Sequence, residues 1–163
     1  DNYNQFLDKG FDWLEWIIWN KESATWTIPR SQHIEKGKYI PALKWESIII
    51  FNKGGRPDFD MKDKEKIREW DTNVWNMNKV IGSEQEKIGH PAIFPVELPF
   101  RLIMSFSKEE EEVLDPFAGS GTTAVACEQL DRKCFMMELD PEYCEVIIQR
   151  WEELSGGEAE LLG

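Results

Sequence analysis

Residues 113–139 constrain this chain more than any other stretch. Val113-Leu114-Asp115 reads as a short strand, and Asp115-Pro116-Phe117-Ala118-Gly119-Ser120-Gly121-Thr122-Thr123 as a Gly-rich loop. A helix is expected from about Thr122 to Leu130, and Cys134 to Leu139 (CFMMEL) reads as a buried strand. Two strands joined by one helix run parallel, and such a unit belongs in an α/β sheet with a right-handed crossover. Asp140-Pro141 then offers a cap and a proline at the first helical position. The following helix reaches about Leu154, where Ser155-Gly156-Gly157 stops it.

The loop has the makings of a ligand site. Glycines at 119 and 121 let a ligand approach the backbone, and the helix start points free amides and a positive dipole end at it. Ser120, Thr122 and Thr123 add hydroxyls. Glu138 ends the next strand, 19 residues after Gly119. An acid so placed accepts hydrogen bonds from ribose hydroxyls in nucleotide-binding α/β folds. The residues alone therefore predict a ligand with a ribose and an anionic group. The loop lacks the lysine of G-x-x-x-x-G-K-[ST], which argues against a triphosphate. It departs from G-x-G-x-x-G at Ala124, so a dinucleotide stays open on weak support. Asp115 at the mouth would repel a phosphate and suits a ligand that carries an ammonium beside its carboxylate, as S-adenosylmethionine does. The plain alternative is a tight strand-to-helix turn and a surface acid.

The rest of the chain adds strands and a basic middle. Phe11 to Asn20 (FDWLEWIIWN) is rich in aromatic and β-branched residues and reads as a strand. Trp45 to Phe51 (WESIIIF) has a continuous apolar run and is expected to be buried on both faces. Val96 to Phe106 has helical spacing, with Pro99 in the first turn. Most of the eight tryptophans, among them Trp13, Trp16, Trp19, Trp70 and Trp75, are expected in the core, with Trp26 in a basic loop. The net charge of −12 excludes a simple polyanion binder, yet residues 30–68 carry ten basic and six acidic side chains. That segment could face a polyanion, or it could be a solvated lysine-rich loop.

Other classes are excluded by composition. The 163 residues hold enough apolar side chains (41%) for one packed domain rather than a disordered chain. No apolar run approaches the ~18 residues of a membrane span, which predicts a soluble protein without a membrane partner. The N-terminus Asp1-Asn2-Tyr3-Asn4 has no secretion signal and no initiator Met, as expected of a fragment or processed chain. Cys127, Cys134 and Cys144 lack paired or metal-ligand spacing, which predicts reduced thiols, no metal site and a cytoplasmic location.

The loop DPFAGSGTT resembles the cofactor loop of the DNA amino-methyltransferases, which methylate adenine N6 or cytosine N4. GFDWLEWIIWNK and WESIIIFNK resemble that family's paired strands in the permuted order of its β group. GHPAIFP, followed by Leu98 and Arg101-Leu102-Ile103, resembles the segment that precedes its Gly-rich loop, and Glu138 with Asp140-Pro141-Glu142-Tyr143 its ribose-binding segment. The resemblance implies a doubly wound, Rossmann-like methyltransferase sheet, mostly parallel with one antiparallel strand and incomplete in this chain. It implies S-adenosylmethionine as cofactor and double-stranded DNA as substrate, with the target base flipped out for in-line transfer. It also suggests the setting of restriction-modification.

Carried over by position, Asp115 and Phe117 would border the methionyl part of the cofactor. Gly119, Ser120, Gly121, Thr122 and Thr123 would meet its amino-acid end, and Glu138 would hold its ribose. His90, Pro91, Ala92 and Phe94 would line the remaining wall. Arg30, His33, Lys36, Lys38, Lys44 and Arg56 are candidate DNA contacts, with Lys62, Lys64 and Lys66 beside them. The family's catalytic Asp/Asn/Ser-Pro-Pro-aromatic motif has no counterpart, because the sequence contains no Pro-Pro pair. No catalytic residue is therefore assigned. A missing N-terminal segment or a second chain is expected to supply the motif, and the chain alone should neither catalyse nor fold stably. The expected organisation is one partial methyltransferase domain over 1–163. It comprises a strand pair with basic loop (1–53), a recognition or linker insertion (54–88), the cofactor-binding unit (89–154) and a tail (155–163). An inactive homologue or subunit that supports a partner, and a methyltransferase acting on RNA or small molecules, are the competing readings.

Overall fold

The computed structural model describes residues 2–21, 36–37, 44–80 and 93–162. Two compact units emerge, Asp1–Arg56 with Thr72–Lys79, and Pro57–Asp71 with Val80–Gly163.

In the first unit, helix α1 (Asn2–Leu7) precedes strands β1 (Asp12–Asn20), β2 (Trp45–Asn52) and β3 (Val74–Asn76). They form a sheet in the order β2-β1-β3. β1 runs antiparallel to β2, from Asp12 opposite Asn52 to Asn20 opposite Trp45, with a bulge between Trp13 and Glu15. β1 runs parallel to β3, with Trp19 opposite Trp75. Ile17, Trp19 and Trp75 are buried on this sheet. The Trp19 indole N–H donates to the Met77 carbonyl (2.9 Å), so the ring is buried with its polar atom satisfied. Phe6 of α1 stacks on Phe51 at 4.7 Å between ring centroids. Lys21, beside β1, sits below the usual lysine range because burial, reinforced by the charge of Lys79, disfavours its ammonium.

The second unit holds a 3-10 turn (Met61–Asp63), a one-turn helix α2 (Lys64–Ile67) and a second 3-10 turn (Arg68–Trp70). These are followed by α3 (Glu97–Phe106), β4 (Glu112–Asp115), α4 (Thr122–Gln129), β5 (Lys133–Met136) and α5 (Pro141–Ser155). β4 and β5 are parallel, with Val113 opposite Cys134 and Leu114 opposite Phe135. Asp140 caps α5 by accepting from the Glu142 amide (3.0 Å), and Gly156 ends it at φ +71°. Arg132 is buried between β5 and the end of α3. Its guanidinium donates to the Ser107 carbonyl (3.0 Å), the Ser107 hydroxyl and the Leu130 carbonyl, and lies 3.6 Å from Asp60. The Cys134 thiol is held below its usual range by a hydrogen bond from Cys127, against the effect of burial, and the same bond raises Cys127. No helix among the described residues is long and apolar enough to cross a membrane.

Two burial expectations are corrected. β2 is not buried on both faces: Ile49 is 50% exposed, as are the Trp45 and Trp16 side chains to a similar degree. β2 has one strand neighbour and so forms an edge of the described sheet. The CFMMEL strand stops at Met136 and is buried on one face alone. Cys134 and Met136 face α4 and α5, while Phe135 (53%) and Leu114 (68%) lie on the opposite face and are open. Nothing among the described residues covers that face, although both faces of a parallel sheet are normally covered. Of the tryptophans expected in the core, Trp19, Trp70 and Trp75 are there. Trp13 and Trp16 are 41% and 49% exposed, and Trp26 lies outside the described residues.

Candidate functional site

The carboxyl end of the β4–β5 pair carries the loop that the sequence singles out. Past β4 the chain folds over the end of β5, with the Ala118 amide donating to the Met137 carbonyl and the Met137 amide to the Asp115 carbonyl (both 3.0 Å). The Asp115 carboxylate ties the loop from within, accepting from the Phe117 amide (3.0 Å) and the Thr123 hydroxyl (2.6 Å). Gly119 and Gly121 adopt φ +53° and +75°, and Gly121 is the N-cap of α4. A Cβ at Gly121 would also lie 2.9 Å from Ile147 Cγ1 of α5. Glycine is required there on two counts, left-handed backbone and lack of space. Gly121→Ala should therefore lower stability by about 2 kcal/mol. Thermal unfolding would check it, and an unchanged midpoint would show that Ile147 yields.

Glu138 stands one strand over and joins the loop directly. One carboxylate oxygen accepts from the Gly119 amide (2.7 Å), and the other from the Leu139 and Asp140 amides (2.8 and 3.0 Å). Loop and carboxylate are thus one constellation in space. Phe117 (88% exposed), two residues after Asp115, and Leu139 (97% exposed), directly after Glu138, are large apolar side chains in solvent. Apolar groups left bare beside a carboxylate and helix-start amides are the makings of a pocket for a flat, partly polar ligand.

Three hydroxyls take part in the loop's own bonding. Thr123 is bonded to Asp115, while Ser120 (5% exposed) and Thr122 (3%) face the guanidinium of Arg150. The first amides of α4 have no intrahelical acceptor, as at every helix start.

The chain matches the DNA methylase family over residues 2–150. It is an N6/N4 DNA methylase family member. This methylase chain is 34% identical over 142 residues to the type II methyltransferase M.SmaI of Serratia marcescens, covering 82% of the chain and 44% of that relative. It is 31% identical to the type II methyltransferase M.MthZI of Methanothermobacter thermautotrophicus, covering 91% of the chain and 46% of that relative. TTHA0409 of Thermus thermophilus, solved in complex with S-adenosyl-L-methionine, has 30% identity and a TM-score of 0.66, over 96% of this chain and 60% of that one. The cytosine-N4-specific PvuII DNA methyltransferase shares the fold at 23% identity, with a TM-score of 0.73 over 94% of this chain and 59% of that one. The Rossmann-like methyltransferase class expected from the sequence is thereby established. The methylase chain spans about half the length of the curated relatives it matches.

Several other expected site residues lie outside the described residues. His90, Pro91 and Ala92 are outside them, and Phe94 is half-buried just ahead of α3. Among the candidate DNA contacts, Arg30, His33 and Lys38 are outside, and Lys36 and Lys44 are exposed. Arg56 pairs with Glu15 (2.8 Å), Lys62 with Glu109, and Lys66 with Glu69 (2.7 Å). Exposed pairs of this kind contribute at most about 1 kcal/mol, so a phosphate can compete for such cations. The methylase residues missed by sequence reasoning are Arg150, Ile147 and Leu139. Arg150 and Ile147 share one face of α5, and a basic residue in that otherwise apolar stripe was the available signal.

Proposed function

We propose that this chain is the cofactor-binding part of a DNA amino-methyltransferase. Such an enzyme uses S-adenosylmethionine to methylate adenine N6 or cytosine N4 in double-stranded DNA. The observation that carries this reading is the Glu138 carboxylate bonded to the Gly119 amide, which brings an acidic side chain and the Gly-rich loop together and supports a ribose role for Glu138. The residues present fit the cofactor. Glu138 has oxygens for ribose hydroxyls, Phe117 and Leu139 offer apolar surface to an adenine ring, and Asp115 matches a cationic centre. Gly119, Ser120, Gly121, Thr122 and Thr123 present amides towards the amino-acid end, and by the family resemblance His90, Pro91, Ala92 and Phe94 are assigned to the remaining wall. When bound, the cofactor supplies an electrophilic methyl group. Arg30, His33, Lys36, Lys38, Lys44 and Arg56 are assigned to DNA phosphates, and the enzyme acts in the cytoplasm.

The catalytic motif comes from sequence outside this chain, either the rest of a longer protein or a second chain. Two observations support that: no Pro-Pro pair occurs in the sequence, and no described residue covers the face of the β4–β5 pair that carries Leu114 and Phe135. The absent motif also favours a second reading, a non-catalytic subunit that binds cofactor or DNA beside an active partner.

Calorimetric titration with S-adenosylmethionine and its demethylated product, with and without a polypeptide bearing the motif, tests the assignment. Saturable binding is expected, with methyl transfer to DNA only when the motif is supplied. No binding in either setting would sink the cofactor reading, and transfer by this chain alone would sink the division of labour.

A further inference from the structure

Helix α5 reaches back to the Gly-rich loop through two residues one turn apart. Ile147 occupies the space that Gly121 leaves open, and Arg150 sits beside it. Nη1 of Arg150 donates to the Ser120 carbonyl, and lies 3.3 Å from the Ser120 hydroxyl and 3.4 Å from the Thr122 hydroxyl. One guanidinium nitrogen has two protons, so three acceptors share them, and all three belong to the turn into α4. A charged donor fixes a carbonyl more strongly than a neutral one. Fixing the Ser120 carbonyl fixes the peptide plane whose other end is the Gly121 amide. Hydroxyls that accept from Arg150 must turn their own protons away from it.

We infer that Arg150 is a positioning residue: from α5 it sets the loop's carbonyl and hydroxyls so that the amides of residues 119–123 are presented in one arrangement. The inference rests on the cofactor reading for its functional consequence, but not for its structural one. Arg150 does not touch the ligand in this account. It acts through Ser120 and Thr122, which lowers the ordering cost of binding.

Hydrogen exchange on the full chain and cofactor titration of the form that binds separate the possibilities. In Arg150→Gln, the bonded loop amides of Gly119 and Gly121 should exchange about tenfold faster and the S-adenosylmethionine dissociation constant should rise about tenfold, with exchange in α5 unchanged. Arg150→Lys, which keeps one charged donor, should recover part of both. Trp151→Phe loses the indole bond to Glu128 (2.9 Å), so it should lower the unfolding midpoint without moving the loop or the affinity. Equal acceleration of loop and α5 in Arg150→Gln, or a Trp151→Phe effect on the loop as large as that of Arg150→Gln, would overturn the inference. If loop exchange responds as expected while the unmodified protein binds no cofactor, the functional reading fails and the positioning role stands.

Discussion

Glu138→Gln should weaken S-adenosylmethionine binding by about a hundredfold. The carboxylate accepts from three backbone amides, two on one oxygen and one on the other. Glutamine keeps a single acceptor oxygen and turns an NH2 group towards an amide N–H. Whichever way it flips, at least one of the amides of Gly119, Leu139 and Asp140 faces a donor. On the proposed cofactor reading, ribose hydroxyls lose a charged acceptor at the same time, and bonds to charged groups are roughly twice as strong as neutral ones. The stability loss should be smaller than the affinity loss, because an amide at this partly open site can turn to water. Calorimetry and thermal unfolding on the same samples would separate the two. A dissociation constant within about threefold of the unmodified protein, a change of under 1 kcal/mol, would remove Glu138 from the ribose role.

How much of this was legible beforehand follows from what each signal reports. The strand–loop–helix–strand unit was readable to within a few residues because its punctuation is local. Gly119 and Gly121 take positive φ, Asp140 caps, Pro141 opens a helix and Gly156 closes it. Glu138 was readable because spacing along a βαβ unit fixes which strand end it reaches. Burial was not readable to the same degree. An apolar run such as Ile48-Ile49-Ile50 or Cys134-Phe135-Met136 states what a strand would bury, not whether anything is there to bury it. Here Ile49 and Phe135 remain half exposed. Long-range polar contacts were invisible for a different reason. Arg150 reaches Ser120 across 30 residues and Arg132 reaches Ser107 across 25, and no sequence period encodes either pairing. The same blindness made Ser120, Thr122 and Thr123 look like open ligand donors, whereas each is bonded inside the loop or to α5.

The face of the β4–β5 pair left open among the described residues leads to an effect that changes with context. Phe135 is 53% exposed, and Leu114, opposite it in register, is 68% exposed. In the chain alone, Phe135→Lys should shift stability by no more than about 0.5 kcal/mol, because the lysine stays in water. It should also reduce self-association, since a contiguous apolar patch promotes it. If the proposed motif-bearing part docks on this face, the face becomes an interior layer of a parallel sheet covered on both sides. There the substitution removes a buried ring and strands an unpaired ammonium, at a cost of about 3–5 kcal/mol. Leu114→Lys should behave in the same way, which guards against an effect peculiar to one site. Unfolding midpoints of the two variants, measured for the chain alone and for the joined protein, give four numbers. A large loss confined to the joined protein is the expected pattern. Equal losses in both settings would mean that the face is already covered in the chain alone. No loss in either would mean that the motif-bearing part docks elsewhere.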